Sequence, residues 1–550
     1  MRPPSLLPLF GLLGLSCAHS AAPGTELKNA NHIFNVIHDS MRQWGSSLHH
    51  NGVSFFLAGV PAGTQFYHGT SRASPVNGTE WLAFEPEHAM VFARPGHGPT
   101  PQLPSDDPDT ERHGGSHGEL RKREHHGPPG EGPLKAFDEN EAGYLHTYTA
   151  AKDLRLLYLD GMSAAKTSKG TLDSQDAVLF NGLLEDHPSP GGQESERARL
   201  SCEMAQNEWE GRIDGVLRME AGFEIILCDF ERDLIPVRIM QIKQSSEEHH
   251  GPRGDGNHGD RDGPRKEGDD KHHDGHGPHK EDDGKRHRAG GPGGPRGPPH
   301  GGPGNGPDAS RWMRAITARY DGIGGKRVSL NFNHFVTAFS HNVELFEGNS
   351  TLPRLVNLSP EERAAIRAEV TTLVMTHHPA ELCEDWQAIT DMIVTRYSKE
   401  LSYFFSSSFD SIEQLQSEIG RVLSPFIDYS GRDDISEIER CATQFLPPSS
   451  LESGGIAAHA VHGVAHKICS SLVEAGKEQD LESAVQVVRD LVGYLDWGTW
   501  KECRGCAVNE ICVVPIWPMG TVQDYDSPQC KDASNPYDQD GETYWGGMHR

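Results

Sequence analysis

Gln65-Phe-Tyr-His-Gly-Thr70, Trp81-Leu-Ala-Phe-Glu-Pro-Glu-His-Ala89 and Phe223-Glu-Ile-Ile-Leu227, the last led in by Ile213-Asp-Gly-Val216, are the segments whose joint reading decides the fold. Each is a short β-like run rich in aromatic and branched residues. The middle one passes straight from strand to helix, with Pro86 suited to a first helical turn. Around them, Val53 to Leu57, Thr64 to Tyr67, Tyr144 to Tyr148, Leu154 to Leu159, Gly215 to Met219 and Phe223 to Phe230 read as strands. Ahead of them, Ile33, Phe34, Ile37, Met41 and Trp44 fall at helical spacing across Leu27 to Trp44. One helix followed by many strands predicts an α+β domain.

Composition divides the 550-residue chain more sharply than length does. From about 96 to 133, and again over 246–310, apolar residues nearly vanish and Gly, Pro, His and charged residues repeat, as in Gly251-Pro-Arg-Gly-Asp255. Such stretches bury too little apolar surface to offset their conformational entropy and are expected to be disordered. The first is an insertion within the N-terminal domain, spanning 23–245, and the second a linker. Both are His-rich, and either bind Zn, Cu or Ni loosely or serve as hydrated spacers. Over 311–497 the apolar period becomes 3.6, in Pro360 to Thr376, Glu381 to Ser406, Ser411 to Leu423 and Leu481 to Leu495, which predicts an all-α domain. Residues 498–550 form a cysteine-rich tail without clear period.

Residues 1–22 combine Arg2, an apolar run from Leu6 to Leu15 and small residues up to Ala22, the layout of a secretory signal. A secreted protein without a membrane anchor is expected, because no later apolar stretch reaches the roughly 18 residues a span needs. Asn77-Gly-Thr79, Asn349-Ser-Thr351 and Asn357-Leu-Ser359 are glycosylation acceptors consistent with export. Nine of the ten cysteines follow the signal, and in an oxidising compartment disulfides are their default state. A four-thiolate zinc site at Cys503, Cys506, Cys512 and Cys530 is the minor alternative, and no structural metal is expected. A formal net charge of −28 argues against nucleic acid as an obligatory partner.

In this order, with Leu145-His-Thr-Tyr-Thr149 and Leu154-Arg-Leu-Leu-Tyr-Leu159 between them, the three quoted segments resemble the split β-sandwich of the ADP-ribosyltransferase-like superfamily, in its His-type branch. The resemblance covers about Val53 to Phe230, less the insertion. It implies NAD as substrate, held against Tyr67, His68, Gly69 and Thr70. His68 would bond the adenosine ribose, and the Gly69 main chain the nicotinamide amide. The branch's nicotinamide-stacking tyrosine is missing here. Phe84 is the first substitute and Trp81 the second, and either serves equally as a core aromatic. Glu224 holds the position of the carboxylate that stabilises the oxocarbenium-like transition state when the nicotinamide–ribose bond breaks. The wider layout resembles secreted proteins of filamentous fungi.

The expected function is therefore mono-ADP-ribosyl transfer, or NAD hydrolysis, toward an unknown protein or small-molecule acceptor or water. Two alternatives stand beside it: a catalytically inactive binding protein on the same scaffold, and a His-rich metal-binding protein. His459, His462 and His466 share one face if their segment is helical, which suits either a metal or a polar packing face.

Overall fold

The computed structural model describes residues 27–94, 143–184, 193–242, 307–348, 350–379, 384–406, 409–452, 455–537 and 542–545. The expected signal segment, the insertion at 96–133 and the linker up to residue 306 lie outside them. The described residues up to 242 and from 307 onward make one compact unit.

The strands are β1 (Ser54–Val60), β2 (Gln65–Thr70), β3 (Glu80–Ala83), β4 (Gly143–Ala150), β5 (Leu154–Leu159), β6 (Gly215–Met219), β7 (Phe223–Leu227), β8 (Leu234–Ile242), β9 (Ser329–Thr337), β10 (Glu510–Val513) and β11 (Gln529–Asp532). The first nine are hydrogen-bonded into a single sheet of order β8-β4-β2-β3-β7-β6-β5-β1-β9, not two separate ones. Only the β5–β6 pair is parallel. The N-terminal helices are α1 (Ala30–Asp39), α2 (Gln43–Leu48), α3 (Pro86–Met90), α4 (Glu194–Glu203) and α5 (Phe230–Asp233). The helix expected over Leu27 to Trp44 breaks in two, because Ser40 donates its hydroxyl back to the Val36 carbonyl and Met41 turns left-handed at φ 56°.

Next come α6 (Pro307–Thr317), α7 (Pro360–Thr376), α8 (Trp386–Phe404), α9 (Ile412–Leu423), α10 (Asp434–Thr443), α11 (Ile456–Ala475), α12 (Leu481–Leu495) and α13 (Val522–Asp526). Between Pro360 and Leu495 the described regular elements are all helices, and the strand before that stretch, β9, belongs to the sheet. It pairs with β1, Ser54 opposite Thr337 and Phe56 opposite Phe335. The boundary expected near residue 311 therefore does not separate a sheet domain from a helical one. Helix α1 buries Ile33, Phe34 and Ile37, and the small-residue face of α11 (Ala457, Ala458, Ala460, Val461, Val464) meets it. Gly463 allows that approach, since a Cβ there would stand 3.1 Å from Ala30 Cβ.

Four disulfides pair all eight described cysteines: Cys202–Cys228, Cys441–Cys469, Cys503–Cys512 and Cys506–Cys530. Each contributes on the order of 2–4 kcal/mol by restricting the unfolded chain. Cys383 lies outside the described residues. Among the described residues, no helix is long and apolar enough to cross a membrane.

Candidate functional site

The site follows from strand register. Tyr67 stands opposite Ala83, Ala83 opposite Glu224, and Glu224 opposite Arg218, one row across β2, β3, β7 and β6. Residues directly opposed across a ladder share a face, and neighbours along a strand alternate. Tyr67, Gly69, Trp81, Glu224 and Arg218 therefore occupy one face of the sheet. His68 and Thr70 occupy the other.

His68 is buried, with Nδ1 2.8 Å from the Trp81 carbonyl oxygen and its ring against Phe230 and His146. Burial pulls its pKa down to about 4, so the imidazole is neutral at ordinary pH. Phe84 packs edge-on against Phe66 at 5.1 Å, on His68's side, at 2% exposure. Gly69 stays on Glu224's side, but its open face is already used. A Cβ at Gly69 would lie 1.8 Å from the Ala89 carbonyl oxygen, because α3 crosses the strand there. Thr70 is partly buried at the strand's end, its Oγ1 accepting from the Arg72 amide. The structure thus brings Tyr67, Trp81 and Glu224 to one face and turns His68 and Phe84 away from it.

Sequence reasoning missed what surrounds Glu224. Arg218 donates from Nε to Glu224 at 2.9 Å, from one terminal nitrogen to Gln175 at 3.1 Å, and from the other to Glu194. Arg197 bonds Asp176 at 2.7 Å and Glu194 at 2.9 Å. Lys166 reaches Glu220 at 2.7 Å and Glu194 at 3.5 Å. The members come from β6, β7 and the turn between them, from α4, from the π-helical turn Asp173–Leu179 and from the loop after β5. Both guanidinium side chains are fully buried. Charges so placed persist only when every one is paired. One signal was legible: in the hairpin β6–β7, Arg218 is the single cation of Val216-Leu-Arg-Met219 and sits where it must face Glu224.

The two central carboxyls differ in how readily they ionise. Burial pushes Glu224 up to about 7, more than Arg218 pulls it down. Burial also opposes ionisation of Glu194, but Arg218, Lys166 and Arg197 together outweigh it and hold Glu194 well below the usual carboxylate range. A carboxyl that keeps its proton until near neutral pH and one that stays ionised, bridged by one fixed guanidinium, make an acid–base arrangement.

Asp214, expected in the turn before β6, is buried and accepts from Lys152 at 2.7 Å and from the Arg155 amide at 2.8 Å. His459, His462 and His466 do lie on one helix, α11, where His462 Nε2 is 3.3 Å from Glu439. Among the described residues, the only His, Cys, Asp or Glu atoms grouped at metal-ligand spacing are the sulfurs of Cys503, Cys506 and Cys512. All three are halves of disulfides rather than thiolates.

Residues 23–253 match the family described as the YPL277C N-terminal domain. Two uncharacterized proteins of Saccharomyces cerevisiae, YOR389W and YPL277C, are 34% and 33% identical to the chain over 244 residues. Each alignment covers 42% of this chain, and it covers 36% of the first relative and 46% of the second. The chain therefore aligns with less than half the length of either. The family match contains α1 to α5, β1 to β8 and every member of the Glu224 network, and stops before α6, β9 and the helices that follow. No solved structure matches.

Proposed function

We propose that this protein is a secreted binding protein on an ADP-ribosyltransferase-like scaffold whose NAD cleft is closed. The observation that carries this reading is α3 lying across Gly69. A nicotinamide amide seeking the Gly69 main chain would meet the Ala89 carbonyl instead. His68 and Phe84, expected to hold the ribose and the nicotinamide ring, face the core on the other side of the sheet from Glu224. Without a shared surface, three correctly placed residue types make no NAD site. Export belongs to the same proposal and is supported by the signal-like start, the four disulfides and the exposure of Asn77 and Asn357.

The opposite pKa shifts of Glu224 and Glu194, joined by Arg218, favour a second reading, in which the chain cleaves the nicotinamide–ribose bond and passes ADP-ribose to water or an unknown acceptor. Calorimetry with NAD, together with nicotinamide release by the purified mature protein and by Glu224→Gln, separates the two. The binding-protein reading expects neither binding nor release. Release that Glu224→Gln abolishes would overturn it in favour of the enzyme.

A further inference from the structure

The buried network is closed from outside by the far end of the chain. Lys166, which joins Glu220 and Glu194 to the Arg218–Glu224 pair, is 10% exposed, and its ammonium lies 5.3 Å from the centre of the Trp517 ring. Trp517 sits in the tight turn Ile516–Met519, where the Ile516 and Met519 main chains bond each other at 3.0 and 2.7 Å. The same stretch of tail grips the loop beyond Lys166. Thr167 donates to the Trp545 carbonyl at 3.2 Å, the Lys169 ammonium stands 4.3 Å over Tyr544, and Trp545 Nε1 donates to the Met519 carbonyl at 2.9 Å. His50 lies edge-on to Trp545 and Tyr544.

None of these contacts is covalent. Both tail disulfides, Cys503–Cys512 and Cys506–Cys530, run within the tail, and the other two disulfides lie wholly outside it. The tail is stapled to itself and held to the body by ring faces, two ammonium groups, the buried side chains of Val513, Val514 and Ile516, and hydrogen bonds such as those from Tyr320 to the Cys512 carbonyl and from Arg314 to the Val508 and Asn509 carbonyls. We propose that this self-stapled tail is a separable cover over the Glu224 network, with Trp517 as the residue that closes it against Lys166. The cover lifts by local opening while the sheet and helices stay folded. Lys166 then meets water, and the partner on which Glu194 and Glu220 depend is loosened. The proposal stands on geometry alone, whichever reading of Glu224 holds.

Lysine acetylation of the full-length protein by acetic anhydride, followed peptide by peptide in a mass spectrometer, tests it. Exposed Lys467 on α11 serves as the internal reference. In Trp517→Ala, Lys166 should label at least about tenfold faster with Lys467 unchanged, as local opening without unfolding requires. Trp517→Phe keeps a ring face and should label as the parent does. Amide hydrogen exchange on α11 should be the same in all three proteins. Unchanged Lys166 protection in Trp517→Ala would overturn the proposal. So would a loss of protection at Lys166 and α11 together, since the tail would then be an ordinary portion of the cooperative fold.

Discussion

Arg218 is where the candidate site and the stability of the fold meet. It is fully buried and serves Glu224, Glu194 and Gln175 at once. Replacing it by Met strands Glu224 and leaves Glu194 with only Arg197 and Lys166, and breaking a buried pair from one side costs about 3–5 kcal/mol. Urea unfolding of Arg218→Met should show a loss of that size, and adding Glu224→Gln should return some of it because one stranded carboxyl is gone. A second residue-scale prediction concerns pH. Burial alone lowers the His88 pKa from 6.5 to about 4. Between those values the unfolded chain takes up a proton that the folded one refuses, so stability is full above 6.5 and falls as pH drops toward 4. The slope is about 1.4 kcal/mol per pH unit for one such residue. His88→Met should therefore flatten the acid limb measured by urea midpoints at pH 7, 5.5 and 4.5. Glu224 works in the opposite direction, its raised pKa withdrawing stability as pH climbs from about 4.5 to 7.

At the scale of elements, the contact of α3 with β2 decides how the sheet face can be used. Gly69 is required there for packing against α3. A methyl group at 1.8 Å from the Ala89 carbonyl oxygen must displace main chain, not a flexible side-chain tip. Gly69→Ala should cost at least about 3 kcal/mol, at the upper end of what overpacking does. Gly420 is the contrasting case, inside α9 with nothing within 4 Å of a Cβ. Gly420→Ala should stabilise by about 0.5–1 kcal/mol through helix propensity. Parallel thermal melts of the two variants check both signs. Helix α7 shows the local code at full strength, with Ser359 and Glu362 capping each other around Pro360.

For the whole molecule, what matters is that the sheet draws its last strand from beyond the linker. β9 covers β1, and α1 packs on α8 and α11. Among the described residues no disulfide joins the chain before residue 243 to the chain after 307. A protease site placed within 250–300 and cleaved in the native protein should leave two pieces that coelute on gel filtration and come apart only in denaturant. Separation in native buffer would show that the β1–β9 ladder and the α1 contacts do not hold the halves together.

The sequence by itself determined most elements and their types. β1, β2 and β4 to β7 lie where alternation and branched residues put them, and α7 to α9 and α12 where the 3.6-residue period does, because side-chain period is a local property. β9 escaped because its buried positions include Asn331, Asn333 and His334. Such polar residues read as loop until a distant partner satisfies them: Asn333 donates to Glu384 and accepts from the Trp386 indole. β8 escaped because it is an edge strand with Pro236 in its run and Ile235 and Val237 exposed, so no alternation of burial marks it. Glu224 was legible as a carboxylate in a strand. Apart from Arg218 across the hairpin, the rest of its network was not, since Lys166, Asp176, Glu194 and Arg197 join it only through the fold. Which cysteines pair, and that His68 and Glu224 take opposite faces, were likewise decided only by tertiary structure. Register and the pairing of buried charge depend on contacts between residues far apart in the chain, and no local period encodes them.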